Sequence, residues 1–160
     1  MFARTERLLL RPGWREDGAA LHRARSDEAV LRGLGRAGGS LTAADVAGQL
    51  ATVFDPMRPA ARTFGAPRLV GGVALEDADG FGAPALSLWI ARPYWRLGFA
   101  TEAARAMIDF ARDGLRLPRV VARVPDGRPA AVRLLAKLGF RRTTSGFALD
   151  LASDGEMLAA

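Results

Sequence analysis

The chain has 160 residues, 49% hydrophobic and 25% charged, which is the balance of one folded globular domain over residues 1–160 and excludes a disordered chain. A formal net charge of +6 invites a nucleic-acid partner, but every one of the 23 basic residues except Lys137 is an arginine, scattered from Arg4 to Arg142 without a block of like charges, so no nucleic-acid face is expected. The lack of cysteine and the single histidine, His22, exclude disulfides, thiolate zinc sites, a cysteine nucleophile and a multi-histidine metal site.

No apolar run approaches the roughly 18 residues needed to cross a bilayer. The start, Met1-Phe2-Ala3-Arg4-Thr5-Glu6-Arg7, has no apolar core of secretory-signal length, so a cytoplasmic protein without a membrane partner is expected. Arg7-Leu8-Leu9-Leu10-Arg11-Pro12 reads as a first strand, stopped by Pro12-Gly13. From Glu16 to Leu34 the apolar residues Ala20, Leu21, Ala24, Ala29, Val30 and Leu34 recur at helical spacing, with Ser26-Asp27 as a break. Gly33 to Gly39 reads as a loop. Thr42 with Asp45 three residues on marks a helix start, and Val46, Leu50, Val53 and Phe54 form one apolar face as far as Pro56.

After Pro67 the period changes. Leu69 to Leu75 and Ala85 to Ala91 read as two strands joined through the acidic turn Glu76-Asp77-Ala78-Asp79-Gly80, a hairpin with Asp79-Gly80 near its tip. The best helix follows Gly98, with Phe99, Ala103, Ala106, Met107 and Phe110 on one face and Gly114 placed to end it. Arg119 to Val124 is a β-branched strand that Pro125 terminates. Pro129 opens a helix carrying Ala131, Leu134, Leu135 and Leu138, closed by Gly139, and Phe147 to Leu151 is a last strand. The order β-α-α-β-β-α-β-α-β predicts an α+β, or mixed α/β, domain. Trp14 and Trp89 read as core or sheet packing, and His22 as a surface or half-buried residue of the first helix.

Two glycine-bearing segments compete as phosphate sites. Gly33-Leu34-Gly35-Arg36-Ala37-Gly38 matches G-x-G-x-x-G, but that fingerprint requires a strand leading in, and here a helical segment does. A loop between helices is the better reading. Trp95-Arg96-Leu97-Gly98-Phe99-Ala100-Thr101 instead lies directly between a strand and the best helix. Free N–H groups and the helix dipole favour an anion at such a helix start. Gly98 and Ala100 let a diphosphate approach the backbone, and Arg96 adds positive charge. The alternative is an ordinary strand-to-helix turn with a packing glycine.

The run from Leu86 to Ala103, LSLWIARPYWRLGFATEA, resembles the acetyl-CoA motif of the GCN5-related N-acetyltransferases (GNAT family). It looks most like the branch that acetylates ribosomal-protein N-termini, whose usual text is Y-W-I-x-P-x-Y-W-G-x-G-Y-A-T-E-A. Arg133-Leu134-Leu135-Ala136-Lys137-Leu138-Gly139-Phe140-Arg141 is similar to that branch's R-V-L-E-K-L-G-F-R, and Thr5-Glu6-Arg7-Leu8-Leu9-Leu10-Arg11-Pro12 to its opening strand. The three blocks stand in the family's order and spacing. The resemblance implies the GNAT acyl-CoA N-acyltransferase fold, a mixed and mainly antiparallel sheet with splayed fourth and fifth strands, flanked by helices. It implies acetyl-CoA as co-substrate, its pantetheine beside the strand from Ala85 to Ala91 and its pyrophosphate on the amides from Arg96 to Thr101. A main-chain N–H among Leu88, Trp89 and Ile90 would polarise the thioester carbonyl. The implied cofactor-binding residues are Leu88, Trp89, Ile90, Trp95, Arg96, Leu97, Gly98, Phe99, Ala100, Thr101 and Arg128, with no metal. The acceptor would be a primary amine, on a protein N-terminus or a small molecule, approaching over the first two helices and the loop from Gly33 to Ser40. Direct transfer in a ternary complex needs no enzyme nucleophile. A homodimer is the default assembly for enzymes of this size.

Four positions depart from the family's text. The usual glutamate opening the fourth strand is Ala85, which cannot act as a base. The glycine usual after Trp95 is Arg96, which crowds one amide of the turn. The N-x-x-S after the fifth strand is represented by Arg128 and Ala131, and Arg128 reads either as a contact of the cofactor's phosphates or as a solvated arginine. No catalytic residue is assigned. Glu76, Asp77, Ser87 and Tyr94 are groups that could act through water, each with an ordinary structural reading beside it. Such an enzyme favours α-amines, with a pKa of about 7.7–8.0, over lysine-type amines near about 10.4. The expected function is N-acetyl transfer from acetyl-CoA to a primary amine; the alternative, raised by the missing Glu, Asn and Ser, is a non-catalytic acyl-CoA-binding or sensing domain of the same fold.

Overall fold

The computed structural model describes residues 2–14, 17–34, 52–55, 68–76, 82–125 and 127–152. The chain divides into two compact units, Met1–Ala74 with Leu88–Ala103, and Leu75–Ser87 with Ala104–Ala160.

The first unit opens with two short antiparallel strands, β1 (Ala3–Arg4) and β2 (Leu9–Arg11), which set Ala3 against Leu10 and Arg4 against Leu9. Leu8 and Leu10 are fully buried. β2 pairs antiparallel with β3 (Thr52–Asp55), and β3 with β4 (Arg68–Glu76). This corrects the helix expected from Thr42 to Pro56: residues 42–51 lie outside the described part, and Val53 and Phe54 belong to a strand. Thr52, Val53 and Phe54 are β-branched or aromatic, the types a pleated surface favours. Pairing on both sides overrides an apolar helical spacing that so short a segment satisfies by chance.

β5 (Ala85–Ile90) follows in the strand order after β4. A Cβ on Gly71 would overlap the Trp89 carbonyl, and one on Gly72 would overlap the Trp89 indole nitrogen. Two adjacent glycines in mid-strand therefore admit both the backbone and the ring of Trp89. The helical stretch expected from Glu16 breaks into α1 (Gly18–Arg25) and α2 (Glu28–Gly33) at Ser26-Asp27. Asp27 is extended, and its carboxylate accepts from the amides of Ala29 at 2.8 Å and Val30 at 3.3 Å, which starts the second helix. Leu21, Val30, Leu69, Trp89 and Ala91 form a buried cluster, with Ala20, Ala24, Leu34 and Tyr94 packed against it.

Trp89 is thus core, as expected, but Trp14 is 55% exposed and lies against the Arg11 guanidinium at 3.7 Å. The reason is ionic. Arg11 is buried, and Asp17 meets it with two bonds of 2.7 and 2.9 Å while also accepting the Trp14 amide at 2.7 Å. A bidentate carboxylate neutralises the buried guanidinium, and the indole is left stacked outside the pair.

The second unit contains the start of β5, the part of α3 (Phe99–Asp109) from Ala104 onward, and a π-helical turn (Phe110–Gly114). β6 (Arg119–Ala122), α4 (Pro129–Lys137), β7 (Arg141–Thr143) and β8 (Gly146–Asp150) complete it. β8 lies antiparallel between β6 and β7, and β5 meets β6 in parallel through one bridge, Ala85 with Val121. The described pairing is mixed and mainly antiparallel, as the fold class requires. β7 escaped the sequence reading because Arg141, Arg142 and Thr143 are all exposed and give no apolar alternation. α3 buries Phe99, Ala103, Ala104, Met107 and Ile108, whereas the expected Ala106 and Phe110 are half-buried; its apolar stripe is turned toward Ala104 and Ile108. α4 ends as its sequence indicates: Gly139 has φ 89, and the amides of Gly139 and Phe140 donate to the carbonyls of Ala136 and Leu135 at 3.1 and 3.0 Å. Among the described residues no helix is long and apolar enough to cross a membrane.

Candidate functional site

β5 stops at Ile90 because Pro93 removes a ladder donor, and Arg92–Tyr94 closes into a 3-10 turn. The amides of Tyr94 and Trp95 donate to the carbonyls of Ala91 at 2.9 Å and Arg92 at 3.2 Å. The Trp95 indole N–H donates to the Ile90 carbonyl at 2.7 Å, and the Ala91 amide to the Val70 carbonyl at 2.8 Å. The turn is therefore tied back to the strand it leaves. Two left-handed residues then reverse the chain, Arg96 with φ 63 and Gly98 with φ 85. Backbone of alternating hand turns successive N–H groups toward one side, the concave arrangement that receives anions.

α3 begins at Phe99, and its first ladder bond runs from the Glu102 amide to the Gly98 carbonyl at 3.2 Å. Trp95 and Arg96 carry the dihedral angles of a type II turn, which directs the Leu97 amide back toward Tyr94, whereas among the described residues the amides of Arg96 and of 98 to 101 have no protein acceptor. A row of donors at a helix start, reinforced by the helix dipole, is chemically suited to a phosphate or carboxylate. Trp95, Arg96, Leu97 and Gly98 are exposed, Phe99 is buried, and Ala100 and Thr101 are half-buried. Gly98 has no substitute of equal fit: its φ favours glycine, and a Cβ there would stand 3.2 Å from Arg7 Nη2. Arg96 occupies the same kind of backbone without glycine's freedom, at a cost of about 1–2 kcal/mol.

A second layer holds this turn. Glu102, in the first turn of α3, accepts the Thr5 hydroxyl at 2.5 Å and the Arg7 amide at 2.8 Å on one oxygen. Its other oxygen takes Arg7 Nε at 2.8 Å and Nη2 at 2.7 Å. Arg7 Nη1 donates to the Leu97 carbonyl at 2.9 Å, and the guanidinium lies over the Phe99 ring at 4.5 Å. Burial pushes the Glu102 carboxyl up, but the hydrogen bonds from Thr5 and Arg7 and the Arg7 charge outweigh it and hold the group below its ordinary value. Sequence reasoning missed this pair. The signal was present in Glu102, three residues after Phe99 and next to Ala103 on a buried stripe, where a carboxylate requires a cationic partner.

The structure brings Leu88, Trp89, Ile90 and residues 95–101 together in the first unit. Leu88 is half-buried, and Trp89 and Ile90 are buried. Arg128 belongs to the second unit, half-buried just before α4, with its carbonyl accepting the Val132 amide at 3.2 Å. Ala85 and Ala131 lie in that unit as well, at the start of β5 and in the first turn of α4. Of the groups able to relay a proton, Ser87 Oγ donates to Glu76 at 2.9 Å. Tyr94 packs against the buried cluster and edge-on to Phe99 at 6.1 Å, and His22 is exposed on α1. Asp77 and residues 35–40 of the interhelical loop lie outside the described residues. Among the described residues no group of three His, Cys, Asp or Glu side chains is arranged to hold a metal ion.

Residues 7–141 match the model of the acetyltransferase (GNAT) domain family. The chain superposes on an acetyltransferase from Bacillus anthracis with a TM-score of 0.75 at 22% identity, covering 94% of this chain and 99% of that one. It superposes on the ribosomal-protein-S5-alanine acetyltransferase of Vibrio fischeri with a TM-score of 0.70 at 14% identity, over 96% and 98% of the two chains. The spermidine N-acetyltransferase of Vibrio cholerae, solved with CoA and spermine, gives 0.69 at 18% identity over 87% and 83%. At these identities the likeness is one of fold.

Proposed function

The chain belongs to the GNAT acetyltransferase family, an acyltransferase family, and on that premise we propose that it transfers an acetyl group from acetyl-CoA to an α-amino group or another primary amine of low pKa. The observation that carries this reading is the set of amides at Arg96 and at 98 to 101 without protein acceptors among the described residues, with the Arg96 side chain exposed beside them. In this reading the diphosphate of acetyl-CoA accepts from those amides. The pantetheine arm runs along Leu88, Trp89 and Ile90, where a main-chain N–H polarises the thioester carbonyl. The amine nitrogen attacks the carbonyl carbon, the C–N bond forms as the C–S bond breaks, and the thiolate leaving group takes up a proton equivalent to the one the nitrogen loses.

The acceptor class follows from what is missing. Ala85 offers no base at the family's usual position, and with no other base assigned the fraction of amine already neutral sets the rate in this reading. At pH 7 that fraction is roughly one in eight for an α-amine and roughly four in ten thousand for a lysine-type amine. That gap favours the α-amine by over two orders of magnitude. The names of two structural neighbours, one acting on a ribosomal-protein alanine and one on spermidine, are consistent with amine acceptors of either kind. The same reading takes residues 1–160 as one domain working in the cytoplasm as a homodimer.

Thiol release from acetyl-CoA, measured with a panel of N-terminal peptides and small amines, tests the proposal. Steady turnover fastest on α-amines is expected. Ala85, Arg128 and Ala131 favour one rival, the non-catalytic binding domain, which predicts CoA binding with no turnover across the panel. Failure to bind CoA at all would overturn both.

A further inference from the structure

We propose that Arg7 is a positioning residue for the 96–101 turn and sets the direction of the Gly98 N–H; this rests on the reading of that turn as a diphosphate site. The guanidinium divides its nitrogens between two acceptors. Nε and Nη2 are taken by one Glu102 oxygen at 2.8 and 2.7 Å, and Nη1 by the Leu97 carbonyl at 2.9 Å. The plane of the group rests on Phe99 at 4.5 Å. One planar fork therefore joins the residue just before Gly98 to the first turn of α3. In a trans peptide the carbonyl and the next N–H point in opposite directions. Anchoring the Leu97 carbonyl to Arg7 consequently aims the Gly98 N–H away from Arg7, out of the protein's own hydrogen-bond network. A rotated peptide would present a carbonyl oxygen where an anion is to sit.

The turn needs such an anchor because Arg96 is strained. With φ 63 on a non-glycine residue, the released turn gains by relaxing away from the binding shape. The Arg7 charge is largely cancelled by Glu102, so its effect is geometric. A lysine would keep the charge but could not reach both acceptors in one plane.

The test uses the full chain with CoA, S-acetylpantetheine (the thioester arm without diphosphate) and the variants Arg7→Lys, Arg96→Gly and the double variant. Arg7→Lys is expected to weaken CoA binding about tenfold. The KM for acetyl-CoA should rise with it while kcat stays within about twofold. The KM for S-acetylpantetheine should not move. In the Arg96→Gly background, where a left-handed residue costs little, the Arg7→Lys effect should shrink to about threefold or less. Glu102→Gln, which keeps the side-chain shape, should show the same pattern at smaller size and serves if Arg7→Lys does not fold. Wild-type CoA affinity in Arg7→Lys, or equal losses for CoA and S-acetylpantetheine, would overturn the proposal. A wild-type chain that fails to bind CoA would instead remove the diphosphate reading on which it rests.

Discussion

Replacing Arg96 by glycine should make the protein more stable while making it a poorer binder of CoA. Arg96 has φ 63, a backbone region that costs a side-chain-bearing residue about 1–2 kcal/mol relative to glycine. Its side chain is exposed and makes no hydrogen bond or ion pair among the described residues, so little is lost with it. Glycine loosens the unfolded chain, which takes back about 0.4–1 kcal/mol. The net gain is roughly 0.5–1 kcal/mol, or about 2–3 °C in Tm for a chain of this size. Thermal unfolding of wild type, Arg96→Gly and Arg96→Ala in parallel separates the causes. Alanine removes the charge but keeps the strained backbone, so it should not gain. Equal stabilisation of both variants would refute the conformational argument, as would a Tm for Arg96→Gly at or below wild type. The accompanying loss of CoA affinity, expected at about threefold to tenfold for one exposed cation near a phosphate, explains why arginine is tolerated there despite its cost.

Gly98→Asp should abolish CoA binding by placing a carboxylate among the amides, while the chain stays folded with a Tm lower by roughly 3–5 °C; calorimetric titration and far-UV circular dichroism check the two halves. Ala85→Glu should raise turnover on lysine-type amines more than on α-amines, and an equal or opposite effect would contradict the assignment of that position. Acid should destabilise through Glu102 and Asp17, both of which titrate below their ordinary values of 4.5 and 3.8. Burial raises each, and hydrogen bonds and the charge of Arg7 or Arg11 outweigh it. Their stabilisation is complete above those values and lost as pH falls through the folded-state values, so Tm should hold steady down to about pH 5 and drop below it. Glu102→Gln should flatten part of that drop, and an unchanged profile would count against the clamp.

Much of the fold was legible because its signals are local. The strands β4 and β5 announce themselves by apolar runs bounded by turn residues, the expected tip at Asp79-Gly80 lying outside the described residues, and α4 by Pro129 at its start and Gly139 after its end. The turn from Trp95 to Thr101 was legible as a strand-to-helix junction with Gly98 at its pivot. What was missed depends on partners distant in sequence. Val53 and Phe54 are strand only because β2 and β4 flank them, and Trp14 is exposed only because Asp17 claims Arg11. The Arg7–Glu102 contact spans 95 residues, and no spacing rule predicts it. The left-handed backbone at Arg96 is carried by an arginine, and its one hint in the sequence was the glycine that the resembled family writes there.

Titrating CoA into the isotope-labelled protein and following backbone amide resonances shows whether the amides from 96 to 101 grip the diphosphate of CoA. The largest saturable shifts are expected at Leu97, Gly98, Phe99, Ala100 and Thr101, reproduced by ADP and absent with S-acetylpantetheine. Saturable CoA binding that leaves those resonances in place would contradict it.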